Sequence, residues 1–242
     1  MKVFKTVKEI QSYLTNLKPE SIGFVATMGA LHIGHISLIE VSKKQNSLTV
    51  CSIFVNPKQF NNQEDLIKYP RNIDADLEKL AAANCDVVFI PSVEEMYPNK
   101  IEKEFQFGIL STVMEAEYRP GHFNGVAIVV ERLFDIIRPT NAYFGEKDFQ
   151  QLSVIKALVN QLKLPIKIIG CPIIRENNGL AMSSRNERLT EVEFNAASNI
   201  NKALTFVRHN KNKLSIAELK SFYADLLSKN KLLTIEYFEI AD

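Results

Sequence analysis

Short apolar runs rich in β-branched residues, each followed by a stretch of helical spacing, constrain this 242-residue chain more than any other feature. Ile22–Thr27 (IGFVAT) reads as a buried strand, and the helix expected after it places Leu38, Ile39 and Ser42 on the face of His35. Leu48–Val55 (LTVCSIFV) is the next strand, stopped by Asn56-Pro57. A helix over 73–83 leads to the short strand Asp86–Ile90, closed by Pro91. GVAIVVERLFDII reads as a helix ended by Pro139; the strand AYFG, a helix over 149–162 and the strand Ile166–Gly170 follow. Such alternation covers both faces of a sheet with helices. It predicts an α/β fold with a Rossmann-like, doubly wound parallel sheet.

The pattern changes after RENNGL. Asn178-Gly179 is a turn signal, and the chain beyond it is more polar and mostly helical. Thr190 with Glu193, and Ser215 with Glu218, match capping boxes, so helices are expected from 191 and 216. The last stretch, KLLTIEYFEIAD, alternates like a strand. The expected division is therefore 1–175 for the sheet domain and 176–242 for a small C-terminal α+β domain.

Charge and cysteine usage exclude several classes of function. Lys plus Arg total 29 against 28 acidic residues, so the basic excess of a dedicated nucleic-acid binder is missing. No apolar run is long enough for a membrane span, and MKVFKTVKEIQ lacks the apolar core of a signal peptide. Cys51, Cys85 and Cys171 are odd in number, far apart and set in apolar runs, which suits free thiols in a reducing compartment. A cytoplasmic location is expected.

The stretch TMGALHIGHISLIE carries the chemistry. In an open parallel sheet ligands collect at the carboxyl ends of strands, and residues 27–35 lie there after the strand IGFVAT. Gly29 and Gly34 let backbone approach a ligand, and the start of the following helix favours an anion such as phosphate. His32 and His35, three residues apart, can both donate to phosphate oxygens and stabilise charge on an α-phosphate and a leaving pyrophosphate. The plainer alternative is a pair of capping or packing histidines. A polar segment, AMSSRNERL, supplies Ser183, Ser184 and Arg185 as a second candidate phosphate-binding element; alone it reads as a linker before the Thr190 cap.

His32-Ile33-Gly34-His35 resembles the HxGH element of the nucleotidyltransferase superfamily, which includes class I aminoacyl-tRNA synthetases. TMGALHIGH, FVNPKQF, YPRNIDAD, RPGHFNGVAIVVERLF, FGEKDFQQL and GLAMSSRNERL, in that order, resemble the pantoate–β-alanine ligase family along the first 190 residues or so. Ile33 stands where that family usually has Glu. The resemblance implies ATP, pantoate and β-alanine as substrates, Mg²⁺ with the ATP, a pantoyl-adenylate intermediate and a homodimer. It makes 1–175 the nucleotide- and pantoate-binding domain and 176–242 a lid that is shortened relative to the family. It also implies a role for each matched residue. His32, His35 and Lys147 are catalytic. Met28, Gly29, Ala30, Leu31, His32, Ile33, Gly34 and His35 line the ATP site with Gly145, Glu146, Lys147 and Asp148, and with Ile174, Met182, Ser183, Ser184 and Arg185. Gln59 contacts pantoate and lines the β-alanine position, and Gln151 is the second pantoate residue, although Asp148 and Gln151 also spell a capping box. Tyr69 and Arg71 shape a cavity wall, and Arg119 and His122 belong to a further binding loop. Asp76 is the expected Mg²⁺ ligand, with Asp74 beside it.

Three other readings compete. Another HxGH adenylyltransferase needs a second nucleotide site and has no use for NPKQF or FQQL. A truncated aminoacyl-tRNA synthetase is disfavoured by the near-neutral charge. A non-catalytic ATP-binding module leaves unexplained two glutamines placed for a small acid.

Overall fold

A computed structural model describes residues 1–100 and 102–241. Its strands are β1 (Lys2–Phe4), β2 (Ile22–Thr27), β3 (Leu48–Ile53), β4 (Val87–Phe89), β5 (Asn141–Gly145) and β6 (Lys167–Cys171). They form one sheet in the order β1-β4-β3-β2-β5-β6, and every pairing is parallel. The helices of the first two-thirds are α1 (Val7–Leu17), α2 (Ile33–Gln45), α3 (Gln63–Lys68), α4 (Ile73–Ala82), α5 (Val93–Met96), α6 (Glu115–Tyr118), α7 (His122–Ile137) and α8 (Phe149–Gln161).

Burial explains the strand sequences. All six residues of β3 are buried, as expected of an inner strand with a helical layer on each side, whereas the edge strands β1 and β6 are partly exposed. On one face Ile10 and Leu14 of α1, Val126 and Val130 of α7, and Leu152 and Ile155 of α8 pack with Phe24, Val50 and Phe89. On the other, Leu38 and Ile39 of α2 and Leu80 of α4 pack with Val25, Cys51 and Val88. The three cysteines are buried free thiols; burial pushes Cys51 well above its ordinary value and Cys85 up to about 12. From β2 the chain builds outward through β3 and β4, then returns to place β5 on the other side of β2. The carboxyl ends of β2 and β5 therefore flank the topological switch point.

The chain divides into two compact units, Met1–Pro172 and Ile173–Asp242, where the sequence suggested a division between 175 and 176. In the second unit α9 (Glu191–Asn210) and α10 (Ile216–Ser228) begin at the expected capping boxes of Thr190 and Ser215. Ala203 and Val207 of α9 pack with Leu219, Tyr223 and Leu227 of α10. Residues 231–241 form no strand, contrary to their alternating pattern; Asp242 lies outside the described residues. A strand needs an edge to pair with, and among the described residues this unit has only the Arg175–Ala181 bridge. Leu233, Ile235 and Phe238 pack on the helix pair instead, with Phe238 stacked 3.8 Å from Tyr223. Apart from that bridge, the described part of the unit is helical rather than α+β.

Candidate active site

In the first unit the expected site residues fall on three turns, one each at the carboxyl ends of β2, β3 and β5. The β2 turn begins where Thr27 Oγ1 donates to the Ser52 carbonyl (2.7 Å) and accepts the Gly29 N–H (3.2 Å). Gly29 and Ala30 are both left-handed, with φ of 81° and 50°. For Ala30 that conformation costs about 1–2 kcal/mol, so something must hold it. The holder is Asp76 of α4. Its Oδ2 accepts the Ala30 N–H (2.9 Å) and its Oδ1 the Leu31 N–H (2.7 Å). A Cβ at position 29 would stand 2.9 Å from Asp76 Oδ2, so glycine is required there for approach as well as for φ. Lys79, one turn further along α4, donates from Nζ to the Leu31 carbonyl at 2.5 Å.

His32 then caps α2. Its Nδ1 accepts the Gly34 N–H (3.1 Å), and the Nδ1 of His35 accepts the His32 N–H (3.3 Å), a reciprocal cap built from two imidazoles whose centroids are 4.0 Å apart. Capping and phosphate binding are thus compatible roles. A ring whose Nδ1 accepts an amide carries its neutral-form proton on Nε2, so the cap fixes the tautomer of both rings. Burial, followed by the nearby charges of His32, Lys147 and Lys79, pushes His35 from 6.5 down to about 3. At neutral pH His35 is an uncharged Nε2–H donor. Ile33 between them is exposed.

The β3 turn presents Gln59. Asn56, 1% exposed, donates from Nδ2 to Gln59 Oε1 (3.2 Å) and to the Gly125 carbonyl (3.1 Å). Its Oδ1 accepts the Lys58 N–H (3.2 Å) and the Tyr97 hydroxyl (2.9 Å). The amide is saturated, which fixes its orientation. With Gln59 Oε1 so engaged, the Gln59 NH₂ points to Met28 Sδ at 2.9 Å. The Gln59 carbonyl is bonded to His122 Nδ1 (2.8 Å) and Arg119 Nη2 (3.5 Å), and Arg119 pairs with Glu115 at 2.9 Å. Burial lowers the His122 value despite that carbonyl. A Cβ at Gly125 would fall 2.2 Å from the Lys58 carbonyl, so α7 packs directly on this turn. Tyr69 is buried edge-on to Phe60 (5.8 Å), and Arg71 Nη2 donates to the Leu66 carbonyl (3.3 Å).

The β5 turn runs through Gly145 into a 3-10 segment, Glu146–Asp148, and then α8. The expected Asp148–Gln151 capping box does not form: Asp148 makes no cap bond, and its Oδ1 accepts Lys147 Nζ at 3.1 Å. Capping therefore does not engage the half-buried Gln151. Its neighbour Gln150 is the structural one, donating to the Leu110 and Val113 carbonyls (3.0 and 2.8 Å) and accepting the Glu115 N–H (3.1 Å).

The remaining expected residues lie in the second unit. The Ile174 carbonyl accepts the Met182 N–H at 3.0 Å, and the chain between them turns at Gly179, φ 91°. Ser183 caps a 3-10 segment, Ser184–Arg188, accepting the Arg185 N–H at 3.3 Å, and Ser184 is buried.

Asp76, expected as a Mg²⁺ ligand, is 1% exposed, and each of its oxygens accepts one backbone N–H of the β2 turn. Asp74, by contrast, is on the exposed side of α4. Among the described residues, no group of three or more His, Cys, Asp or Glu side chains is placed to hold a metal ion. None of the described helices is long and apolar enough to cross a membrane. Asp76, Lys79, Asn56 and Gln150 were missed as supporting residues. The available signal was a carboxylate on the buried stripe of α4, in register with Leu80.

The Pantoate-beta-alanine ligase family profile matches residues 2–242. The pantothenate synthetase of Bacteroides fragilis is 48% identical over 244 residues, covering 100% of this chain and 86% of that protein. The pantothenate synthetase of Azobacteroides pseudotrichonymphae is 51% identical, covering 100% and 88%. The crystal structure of pantothenate synthetase from Thermus thermophilus superposes with a TM-score of 0.90 at 41% identity, over 96% of this chain and 83% of that one. The pantoate-beta-alanine ligase of Francisella tularensis, crystallised with beta-gamma ATP and beta-alanine, superposes with a TM-score of 0.83 at 39% identity, over 93% and 86%. With a profile match over nearly its whole length and relatives near half identity, the chain belongs to the pantoate–β-alanine ligase family.

Proposed function

We propose that this chain joins pantoate to β-alanine at the expense of ATP, with the β2 turn as the triphosphate site. A pantoate carboxylate oxygen attacks the α-phosphorus, the bond to pyrophosphate breaks, and pantoyl adenylate remains bound. The β-alanine amine then attacks the acyl carbon, loses a proton, and expels AMP to leave pantothenate. A carboxylate is already a nucleophile, so the first step needs alignment and charge stabilisation more than a base. The observation that carries this reading is the reciprocal imidazole cap, which leaves an Nε2–H donor on both His32 and His35 beside the switch point. His35, held neutral, donates without adding charge, so cationic neutralisation falls to Lys147, near enough to act on it.

Met28 to His35 and Gly145 to Asp148 form the nucleotide-facing backbone, while Gln59 and Gln151 hold pantoate. The amide NH₂ of Gln59, oriented by Asn56, suits the hydroxyls and carboxylate of a small polyol acid and the adjoining β-alanine position. In the second unit Ile174, Met182, Ser183, Ser184 and Arg185 serve ATP, and the unit acts as a lid. Mg²⁺ would arrive with ATP as part of the substrate and supply charge neutralisation of the phosphates. The Francisella ligase complex with ATP and β-alanine supports those two substrates here. The enzyme works as a cytoplasmic homodimer without nucleic-acid or membrane partners.

The test is AMP formation with each substrate omitted in turn. AMP should require ATP, pantoate and β-alanine together, and pantoate should raise the melting temperature in the presence of ATP. Stabilisation by ATP alone with no AMP would favour a binding module instead.

A further inference from the structure

We propose that Asp76 and Lys79 are positioning residues that hold the phosphate-binding turn in its reactive shape. Both belong to α4, which follows β3 and supplies neither histidine, yet their side chains hold three successive peptide groups of the β2 turn. Asp76 takes the N–H groups of Ala30 and Leu31, and Lys79 takes the Leu31 carbonyl. The segment so held includes two consecutive left-handed residues and ends at His32, whose own N–H fixes the ring of His35. A displacement of Leu31 therefore moves both imidazoles together. Two amide N–H groups stabilise this buried carboxylate beside the triphosphate site. The bracket thus gives Asp76 a role through backbone.

The inference rests on the β2 turn being the triphosphate site, and the test separates the two claims. Wild type, Asp76→Asn and Lys79→Met are assayed for pyrophosphate release in steady state with ATP, pantoate and β-alanine across a range of Mg²⁺ concentrations. Asn keeps the shape but cannot accept both N–H groups. Asp76→Asn should lower kcat about 100-fold, the scale of a small misplacement of catalytic groups, with KM for pantoate within about threefold of wild type. Lys79→Met should lower it less, roughly tenfold, and the half-saturating Mg²⁺ concentration should stay within about twofold in both. Restoration of Asp76→Asn by high Mg²⁺ would overturn the inference in favour of a metal ligand, and so would a fully active Asp76→Asn. If wild type itself releases no pyrophosphate with pantoate, the functional reading fails instead. Backbone amide exchange in wild type provides a readout independent of variant folding. Ala30 and Leu31 should exchange as slowly as β2, and fast exchange at both would contradict the bracket.

Discussion

The turns that leave β2 and β3 stand on adjacent strands, and each is held by one buried polar side chain of opposite chemistry. Asp76 is an acceptor only, and it fixes two backbone donors of the His turn. Asn56 is donor and acceptor at once; it fixes a side-chain amide, a carbonyl of α7, a backbone N–H and a tyrosine hydroxyl. Both are 1% exposed. The difference follows from what each turn must present. The His turn displays donors on rings, so its holder works on backbone and leaves the rings to cap one another. The Gln turn displays a side-chain NH₂, so its holder occupies the carbonyl end of that same side chain. A carboxylate in the place of Asn56 would repel Gln59 Oε1, and an amide in the place of Asp76 would oppose an N–H with an N–H.

The largest expected effect tests the His turn. Because the imidazoles also cap α2, His→Ala would confound capping with chemistry. His32→Asn and His35→Asn keep an acceptor for the cap but remove the Nε2–H. Each should lose ~100-fold or more in the rate of pyrophosphate release, with the melting temperature nearly unchanged, as for loss of a donor to developing charge. Variants that turn over normally would reduce the pair to a cap.

A smaller effect is expected on the pantoate side. Asn56→Asp removes both donors while keeping the acceptors, so KM for pantoate should rise on the order of tenfold, with KM for ATP little changed. Steady-state kinetics with each substrate varied makes the check; an equal rise for ATP would show that the two turns are not separately held.

The smallest effect is a pH dependence of stability. The folded value of His35, about 3, lies below its ordinary 6.5, so between those values the unfolded chain binds a proton that the folded site refuses. Stability from this group is present above 6.5 and falls as pH drops through the window. Urea melts at pH 7 and pH 5 should show wild type losing on the order of 1 kcal/mol more than His35→Asn. Equal losses would place His35 in its charged form.

Legibility differed between these regions for a physical reason. The strand Ile22–Thr27, the starts of α9 and α10 and the buried face of α2 were readable because local pattern and capping chemistry decide them. The ordered motifs of the sheet domain were enough to indicate the family and its substrates. Asp148–Gln151 has the spacing of a capping box, but the carboxylate pairs with Lys147 instead. The alternation in 231–241 had no partner edge. The holders were the least legible. Asp76 lies 45 residues from Leu31, and Asn56 lies 69 residues from Gly125, so their bonds exist only once the strands are side by side. A buried acidic residue read alone suggests a metal; its two backbone partners become visible only in the fold.

If the β2 turn brings ATP and pantoate together, pantoate is activated before any amine is needed. Enzyme incubated with ATP, Mg²⁺ and pantoate labelled with oxygen-18 in the carboxylate, without β-alanine, should release about one pyrophosphate per active site and stop. Adding β-alanine should then release AMP carrying the label, because the carboxylate oxygen bridges to the α-phosphorus in the adenylate. Pyrophosphate that appears only after β-alanine is added, with unlabelled AMP, would contradict the account.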